Sequence, residues 1–299
     1  MNKVAYINGF KAFLKLERSL SKHSIEAYLN DVAKLEQYFE SLGRSINYTL
    51  LTIKDLRAFI SWLNELGMQA SSQARILSGI KAFFNYLMIE EIITEDPTHL
   101  IEAPKLSRKL PDTLNINEIN VLIAAIDASQ VDGMRSKAIL EVLYGCGLRV
   151  SELSELRISN IFEETEFIKI IGKGNKERVV PIGSVALKFL GIYINQVRIH
   201  LPIKKGHEDF VFLNRFGSRL SRISIFTLIK TLSAKAGINK TISPHTFRHS
   251  FATHLIEGGA DLRAVQEMLG HASITTTEIY THLDRDYLRS VITQYHPRS

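Results

Sequence analysis

The sequence predicts a mainly α protein in two parts: an N-terminal helical bundle, then a larger, mostly helical domain carrying a small antiparallel β-sheet. Three observations predict it. Apolar residues recur at helical spacing through roughly the first hundred residues. A segment with two prolines and three basic residues then interrupts the pattern. Beyond it, one pair of β-rich segments stands among further helical runs.

In the first part, Ile25, Tyr28, Leu29, Val32, Leu35, Tyr38 and Phe39 follow helical spacing. The spacing returns in Leu56, Phe59, Ile60 and Leu63, and again in Ile76, Leu77, Ile80, Phe83, Phe84 and Leu87. Thr52 precedes Asp55 with capping-box spacing and marks a helix start. Gly43 and Gly67 suit helix ends, where a left-handed cap favours glycine. These signals predict a bundle of about four or five helices over residues 1–101. Residues 102–113, EAPKLSRKLPDT, hold Pro104, Pro111, Lys105, Arg108 and Lys109 without periodicity and read as a linker. The second domain is then 114–299. Within it, Phe167–Ile171 and Arg178–Ile182 flank GKGNKE as a hairpin. Ser243 and Pro244 open a helix as N-cap and first residue. Asp261–Leu269 is a short amphipathic helix stopped by Gly270, and Thr275 and Glu278 have the spacing to start another.

Composition bounds the function classes. A hydrophobic content of 45% with 23% charged residues is that of a chain with a sizeable core, among 299 residues. No apolar run reaches the ~18 residues of a membrane span. The opening MNKVAYINGF lacks a small-residue cleavage site and does not read as a signal peptide. One cysteine, Cys146, rules out an internal disulfide and suits a reducing cytoplasm. A net charge of +6 permits a polyanionic partner without requiring one.

Five places carry candidate chemistry, and each has an ordinary reading beside it. Arg149 lies in YGCGLRVSELSEL, where two glycines separate helical runs and can present a side chain at the junction. An arginine there is also an ordinary salt-bridging residue, with Glu152 either its partner or a first-turn acid favoured by the helix dipole. Lys173 sits in the hairpin loop, where a lysine is ordinarily just solvated; GKG lacks the ending of a P-loop. His245 falls in the first turn of its helix, where free N–H groups favour an anion, and Arg248 follows three residues on, on the same side. Together they make a phosphate cradle. The competing reading is a metal pair, His245 with His249, but the helix lacks the glutamate of H-E-x-x-H and an arginine beside a cation is unfavourable. His249 and His254 read as structural. His271 follows Gly270 and could simply satisfy helix-end carbonyls. Tyr280 is one of ten tyrosines, and its phenol needs neighbouring positive charge or a base to act as a nucleophile.

Taken in order, Arg149, Lys173, His245 with Arg248, His271 and Tyr280 resemble the signature of the tyrosine recombinase (phage integrase) family, XerC/XerD type, with a slight lean to XerD. The words GCGLRVSEL, GKGNKERVVP, SPHTFRHSFATHL and LGHASITTTEIYTH carry the resemblance, which runs over essentially the whole chain. Cys146 is a departure, since the family commonly has a small residue such as threonine there.

The resemblance implies a SAM-like core-binding N-terminal domain and a tyrosine recombinase catalytic domain that clamp duplex DNA, with the linker bases near its backbone. It implies that Tyr280 attacks the DNA and becomes bonded to the 3′ phosphate. Arg149, Arg248 and His271 would stabilise the phosphate charge, Lys173 would protonate the leaving 5′ oxygen, and His245 would assist proton transfer at the tyrosine. The phosphodiester energy is conserved in the covalent bond, so no cofactor, ATP or metal is implied. The implied partners are double-stranded DNA, a partner Xer recombinase in a tetrameric synapse and a cell-division DNA translocase, with no membrane. The C-terminal segment, about Val291–Ser299, would dock on a neighbouring protomer. The implied task is resolving chromosome dimers at a dif-like site during segregation. An integrase or transposase of a mobile element would use the same residues; the near absence of an extra N-terminal arm-binding domain favours the simple Xer type. A DNA-binding protein without catalysis would have no need of the full set.

Overall fold

A computed structural model describes residues 3–104, 112–130, 132–172, 176–270 and 282–299. The chain divides into two compact units, 1–109 and 110–299.

The first unit is built from α1 (Lys3–Leu16), α2 (Lys22–Ser41), α3 (Ile53–Glu65) and α4 (Ala70–Ile89), with a 3₁₀ turn at Tyr48–Leu50. Thr52 caps α3 as expected: its hydroxyl accepts from the Asp55 N–H while the Asp55 carboxylate accepts from the Thr52 N–H at 2.9 Å. Gly43 and Gly67 take positive φ after α2 and α3. The apolar stripes of α2, α3 and α4 close on a core in which Phe83 packs edge-on against Phe10 and Tyr48, at 5.1 and 4.8 Å between ring centres. Tyr28, Leu29 and Ile60, on the same stripes, are only partly buried and flank it. α2 and α4 pack tightly at Gly79, where a methyl group would collide with the buried Asp31 carboxylate. Burial pushes that carboxyl up to about 6 despite Arg75 at 2.7 Å.

In the second unit, α5 (Ile116–Ala124) and α6 (Gly133–Gly145) lead to α7 (Val150–Ser154) and a three-stranded antiparallel sheet in the order β1 (Ile161–Phe162), β2 (Phe167–Ile171), β3 (Glu177–Pro181). The expected hairpin is β2–β3, and its second strand begins one residue earlier than its β-rich run suggests, with Ile171 opposite Glu177. β1 was outside the expectation because a two-residue strand has no periodicity to read. Then come α8 (Ser184–Ile192), α9 (Arg222–Lys235), α10 (Pro244–Gly258), α11 (Leu262–Leu269) and α12 (His282–Tyr295). Pro244 stands in the first turn of α10, and the Ser243 N–H donates to Thr246 Oγ1 at 3.1 Å. The helix start expected at Thr275 and the basic residues Lys105, Arg108 and Lys109 lie outside the described residues. Among the described residues no helix is long and apolar enough to cross a membrane.

The C-terminal segment packs on its own domain in this single chain. Leu288, Val291 and Ile292 are buried in the same core as α6 and α10. Arg298 Nε donates to the buried Glu141 carboxylate at 2.8 Å. His296 is buried beside Tyr144 and Phe251, and its Nδ1 accepts from the Arg298 N–H at 3.2 Å. Burial, reinforced by the His254 and Arg298 charges, holds the His296 imidazole down at about 3. The unfolded chain therefore takes up a proton near pH 6.5 that the folded chain refuses, so stability falls as pH drops from about 6.5 toward 3. His296→Asn keeps an acceptor for Arg298 and removes the titration. Its thermal midpoint, followed by circular dichroism, should vary less with pH across that window than the wild-type midpoint does; an unchanged slope would assign the acid sensitivity to other groups.

Candidate active site

The site is organised around one buried carboxylate. Gly147 makes the turn between α6 and α7 with φ +57°, in close contact with Phe251, so no side chain fits there. The turn puts Arg149 at the N-cap of α7 and Glu152 in its first turn. Glu152, only 4% exposed, takes the Arg149 N–H and the Arg149 Nη1, both at 2.8 Å. Arg178, reaching across from β3, donates to both oxygens of the same carboxylate at 2.7 and 2.9 Å. Arg248, from α10, stands 4.0 Å from it. Burial alone raises the Glu152 carboxyl, but the hydrogen bonds and charge of Arg178, with the hydrogen bonds of Arg149, outweigh it and hold the group below the usual carboxylate range.

The three arginines converge a second time, on the C-terminal end of α11. Arg178 Nε donates to Met268 O at 2.9 Å, Arg248 Nη2 to Leu269 O at 2.6 Å and Arg149 Nη2 to Gly270 O at 3.3 Å. Three successive carbonyls that a helix end leaves unpaired are thus each taken by a different guanidinium, at the negative end of the helix dipole. Arg248 Nη1 also donates to Gly147 O at 2.8 Å, tying the α6–α7 turn to α10. Burial, with repulsion from Arg149, lowers Arg248 to about 10, which leaves it charged at neutral pH. Arg149 is the accessible member, its side chain 37% exposed, and the Glu152 and Gly270 bonds engage two of its five N–H donors.

The structure therefore brings Arg149 and Arg248 together, with His245 exposed three residues before Arg248 on α10. His249, expected to be structural, is exposed on the same helix. His254 is structural: it is buried, and its Nδ1 pairs with the Tyr144 hydroxyl at 2.7 Å. Among the described residues, no group of three or more His, Cys, Asp or Glu side chains is placed to hold a metal. Cys146 is fully buried at the end of α6, where burial pushes its thiol far up and keeps it protonated. Lys173, His271 and Tyr280 lie outside the described residues. The sequence reading missed Arg178. Its signal is the strand itself: in ERVVP, Arg178 shares a face with the buried Val180, and a charge on a core-facing position needs a partner.

Residues 112–286 match the phage integrase family, and residues 7–91 match its N-terminal SAM-like domain. The chain belongs to the phage integrase family. Its relatives within that family include tyrosine recombinase XerD of Staphylococcus saprophyticus, 41% identical over 98% of this chain and 99% of that protein. Tyrosine recombinase XerD of Oceanobacillus iheyensis is 42% identical over 98% of each. The XerD-type tyrosine recombinase expected from the sequence is thus borne out, as an enzyme that cuts and rejoins DNA. Among solved structures, the XerH site-specific recombinase bound to palindromic difH substrate aligns with a TM-score of 0.71 at 25% identity, covering 96% of this chain and 84% of that one. A lambda integrase dimer bound to a core site aligns with a TM-score of 0.72 at 17% identity, covering 94% of this chain and 100% of that one, which shows the shared fold.

Gly270 is where the recombinase site leaves no room. It caps α11 with φ +65°, and a methyl group there would stand 2.9 Å from Arg178 Cδ. Gly237 has a nearly equal φ of +66° with nothing within 4 Å. Gly237→Ala should cost about 1–2 kcal/mol, the ordinary left-handed penalty. Gly270→Ala should cost at least about 1 kcal/mol more, through overpacking. Equal losses in chemical denaturation would show that the arginine yields freely.

Proposed function

We propose that this recombinase cuts and rejoins duplex DNA at a specific site through a covalent bond from Tyr280 to the 3′ phosphate, with Arg149, Lys173, His245, Arg248 and His271 as its other catalytic residues. The observation that carries the reading is the convergence of Arg149 and Arg248 beside the end of α11, immediately before His271. Attack on a phosphodiester builds negative charge on the non-bridging oxygens. Guanidiniums that are fixed in place and always charged stabilise that charge without reorganising. His271, the next residue in the sequence after Gly270, supplies a further donor to the phosphate in this reading. Lys173 protonates the departing 5′ oxygen, and His245 assists proton transfer at the phenol. Rejoining runs the same steps backwards with a new 5′ hydroxyl. Permanent positive charge does the work a cation does in metal nucleases, so the reaction needs no metal, and conservation of the phosphodiester energy removes any need for ATP.

The identity to XerD relatives supports a role in resolving chromosome dimers at a dif-like site during segregation and cell division, in the cytoplasm. The partners in that role are a second Xer recombinase in a tetrameric synapse and a DNA translocase of the division machinery.

The direct test is covalent trapping. In EDTA, the wild-type chain should form a denaturation-resistant adduct on nicked duplex DNA carrying a dif-like site. Tyr280→Phe should bind that DNA with similar affinity and form none. An adduct in the Tyr280→Phe protein would move the nucleophile elsewhere, with Tyr287 the next candidate.

The role of Lys173 has its own test. Lys173→Ala should cleave ordinary DNA about 10²–10⁴-fold slower, the usual worth of a general acid. A bridging 5′-phosphorothiolate leaves as a thiolate and needs no proton, so on that DNA Lys173→Ala should approach the wild-type rate while Tyr280→Phe stays inactive. Failure of sulfur to rescue would make the lysine a phosphate contact instead.

A further inference from the structure

We propose that Arg178 is a positioning residue for the cleavage reaction: it sets the places of the groups that meet the scissile phosphate without touching the phosphate itself. The inference rests on the recombinase reading above. Arg178 is 7% exposed, and each of its three nitrogens is already engaged: Nη1 and Nη2 on Glu152, Nε on Met268 O. Three of its five N–H donors are thus taken, and at this depth the other two have little access to a substrate. What it does instead is join three separately built pieces of the site.

The first is α7. By holding both Glu152 oxygens from one side, Arg178 leaves that carboxylate in the orientation that takes the Arg149 N–H and one Arg149 nitrogen, so Arg149 is held by a single side-chain bond to Glu152 and keeps its reach to Gly270 O. Without Arg178, Glu152 would be a buried carboxylate short of a partner, and Arg149 is the nearest guanidinium that could turn fully onto it. The second piece is the end of α11. The Met268 bond and the packing of the Arg178 side chain against Gly270 fix the end of α11, one residue before His271 in the sequence. The third is the hairpin. Gly172, just before Lys173, lies over the ion pair: a methyl group on it would stand 3.9 Å from Arg178 Nη1 and 4.0 Å from Glu152 Oε1. The hairpin remains paired up to that point, with the Gly172 N–H donating to Lys176 O at 2.7 Å.

The test uses the full-length chain and a nicked duplex carrying a dif-like site, read as single-turnover adduct formation at saturating DNA. Arg178→Met should lower the rate about a hundredfold, the scale of one misplaced oxyanion donor. DNA affinity should stay within about threefold, because ground-state binding does not report on transition-state charge. A scissile methylphosphonate removes the charge that Arg149 and Arg248 neutralise. On that DNA the same substitution should cost less than about tenfold, because misplaced charge-neutralising donors matter less there. A loss that is equal on both substrates, or matched by an equal loss of affinity, makes Arg178 merely structural and overturns the proposal. Because Arg178→Met orphans a buried carboxylate and could unfold the unit, Arg178→Met with Glu152→Gln is the second variant. It should fold with a near wild-type thermal midpoint and still be about a hundredfold slow. Recovery of the rate in that double variant would mean that Arg178 only neutralises Glu152, and would also overturn the proposal. A wild-type chain that forms no adduct overturns the recombinase reading and this inference together; a wild-type adduct with an undiminished Arg178→Met rate overturns this inference alone.

Discussion

The buried Glu152 carboxylate is the interaction on which the second unit's organisation depends. Taking a charge out of water costs several kcal/mol unless partners replace the lost hydration. Here Arg149 and Arg178 donate to it and Arg248 stands just beyond, so one negative charge is surrounded by three positive ones. The carboxylate is held ionised, and the cluster of one carboxylate and three guanidiniums carries an excess of positive charge. An excess of that sign, partly open at Arg149, is what a phosphate transferring between two oxygens requires. The same ion pairs that stabilise the fold therefore leave the site tuned for an anion.

The second constraint is geometric. α11 is a helix of eight residues, too short to hold its own end rigidly. Its last carbonyls are fixed from outside, by side chains from α7, β3 and α10. Elements far apart in sequence thereby meet at one peptide segment, and a rearrangement of any one of them is felt by the other two. α10 has a further part: beyond Arg248 it carries Ser250, whose hydroxyl accepts from the Leu114 N–H at 2.8 Å, and His254, paired with Tyr144. One helix thus links the site to the start of the unit and to the buried seat of the C-terminal segment.

Much of this was legible in the sequence, for reasons that can be named. The stripes of α2, α3 and α4 follow helical spacing over long segments, and the caps at Thr52, Ser243 and Gly270 carry their own chemistry. Arg149 and Arg248 were found because they sit in recognisable words at helix starts and turns. Glu152 was seen only as an optional partner, since spacing along one helix cannot reveal a residue arriving from a strand twenty-six positions later. Arg178 was missed for the same reason, although an arginine alternating with core valine was the clue. β1 was too short to read. His249 and His254 both read as structural in the sequence, but the two fall on different faces of α10, one exposed and one buried against Tyr144.

The three carbonyls at the end of α11 have one further consequence, for how this sequence can drift. Some arginine codons lie a single base from a lysine codon, and at a solvated surface position the exchange often passes unnoticed. At positions 149, 178 and 248 it does not, because each guanidinium bonds in two directions at once, to a backbone oxygen and to a second acceptor. An ammonium is a point charge on a flexible stem and does not span both with the same geometry. Exchange of arginine for lysine, which a solvated surface position can absorb, is therefore closed at these three codons.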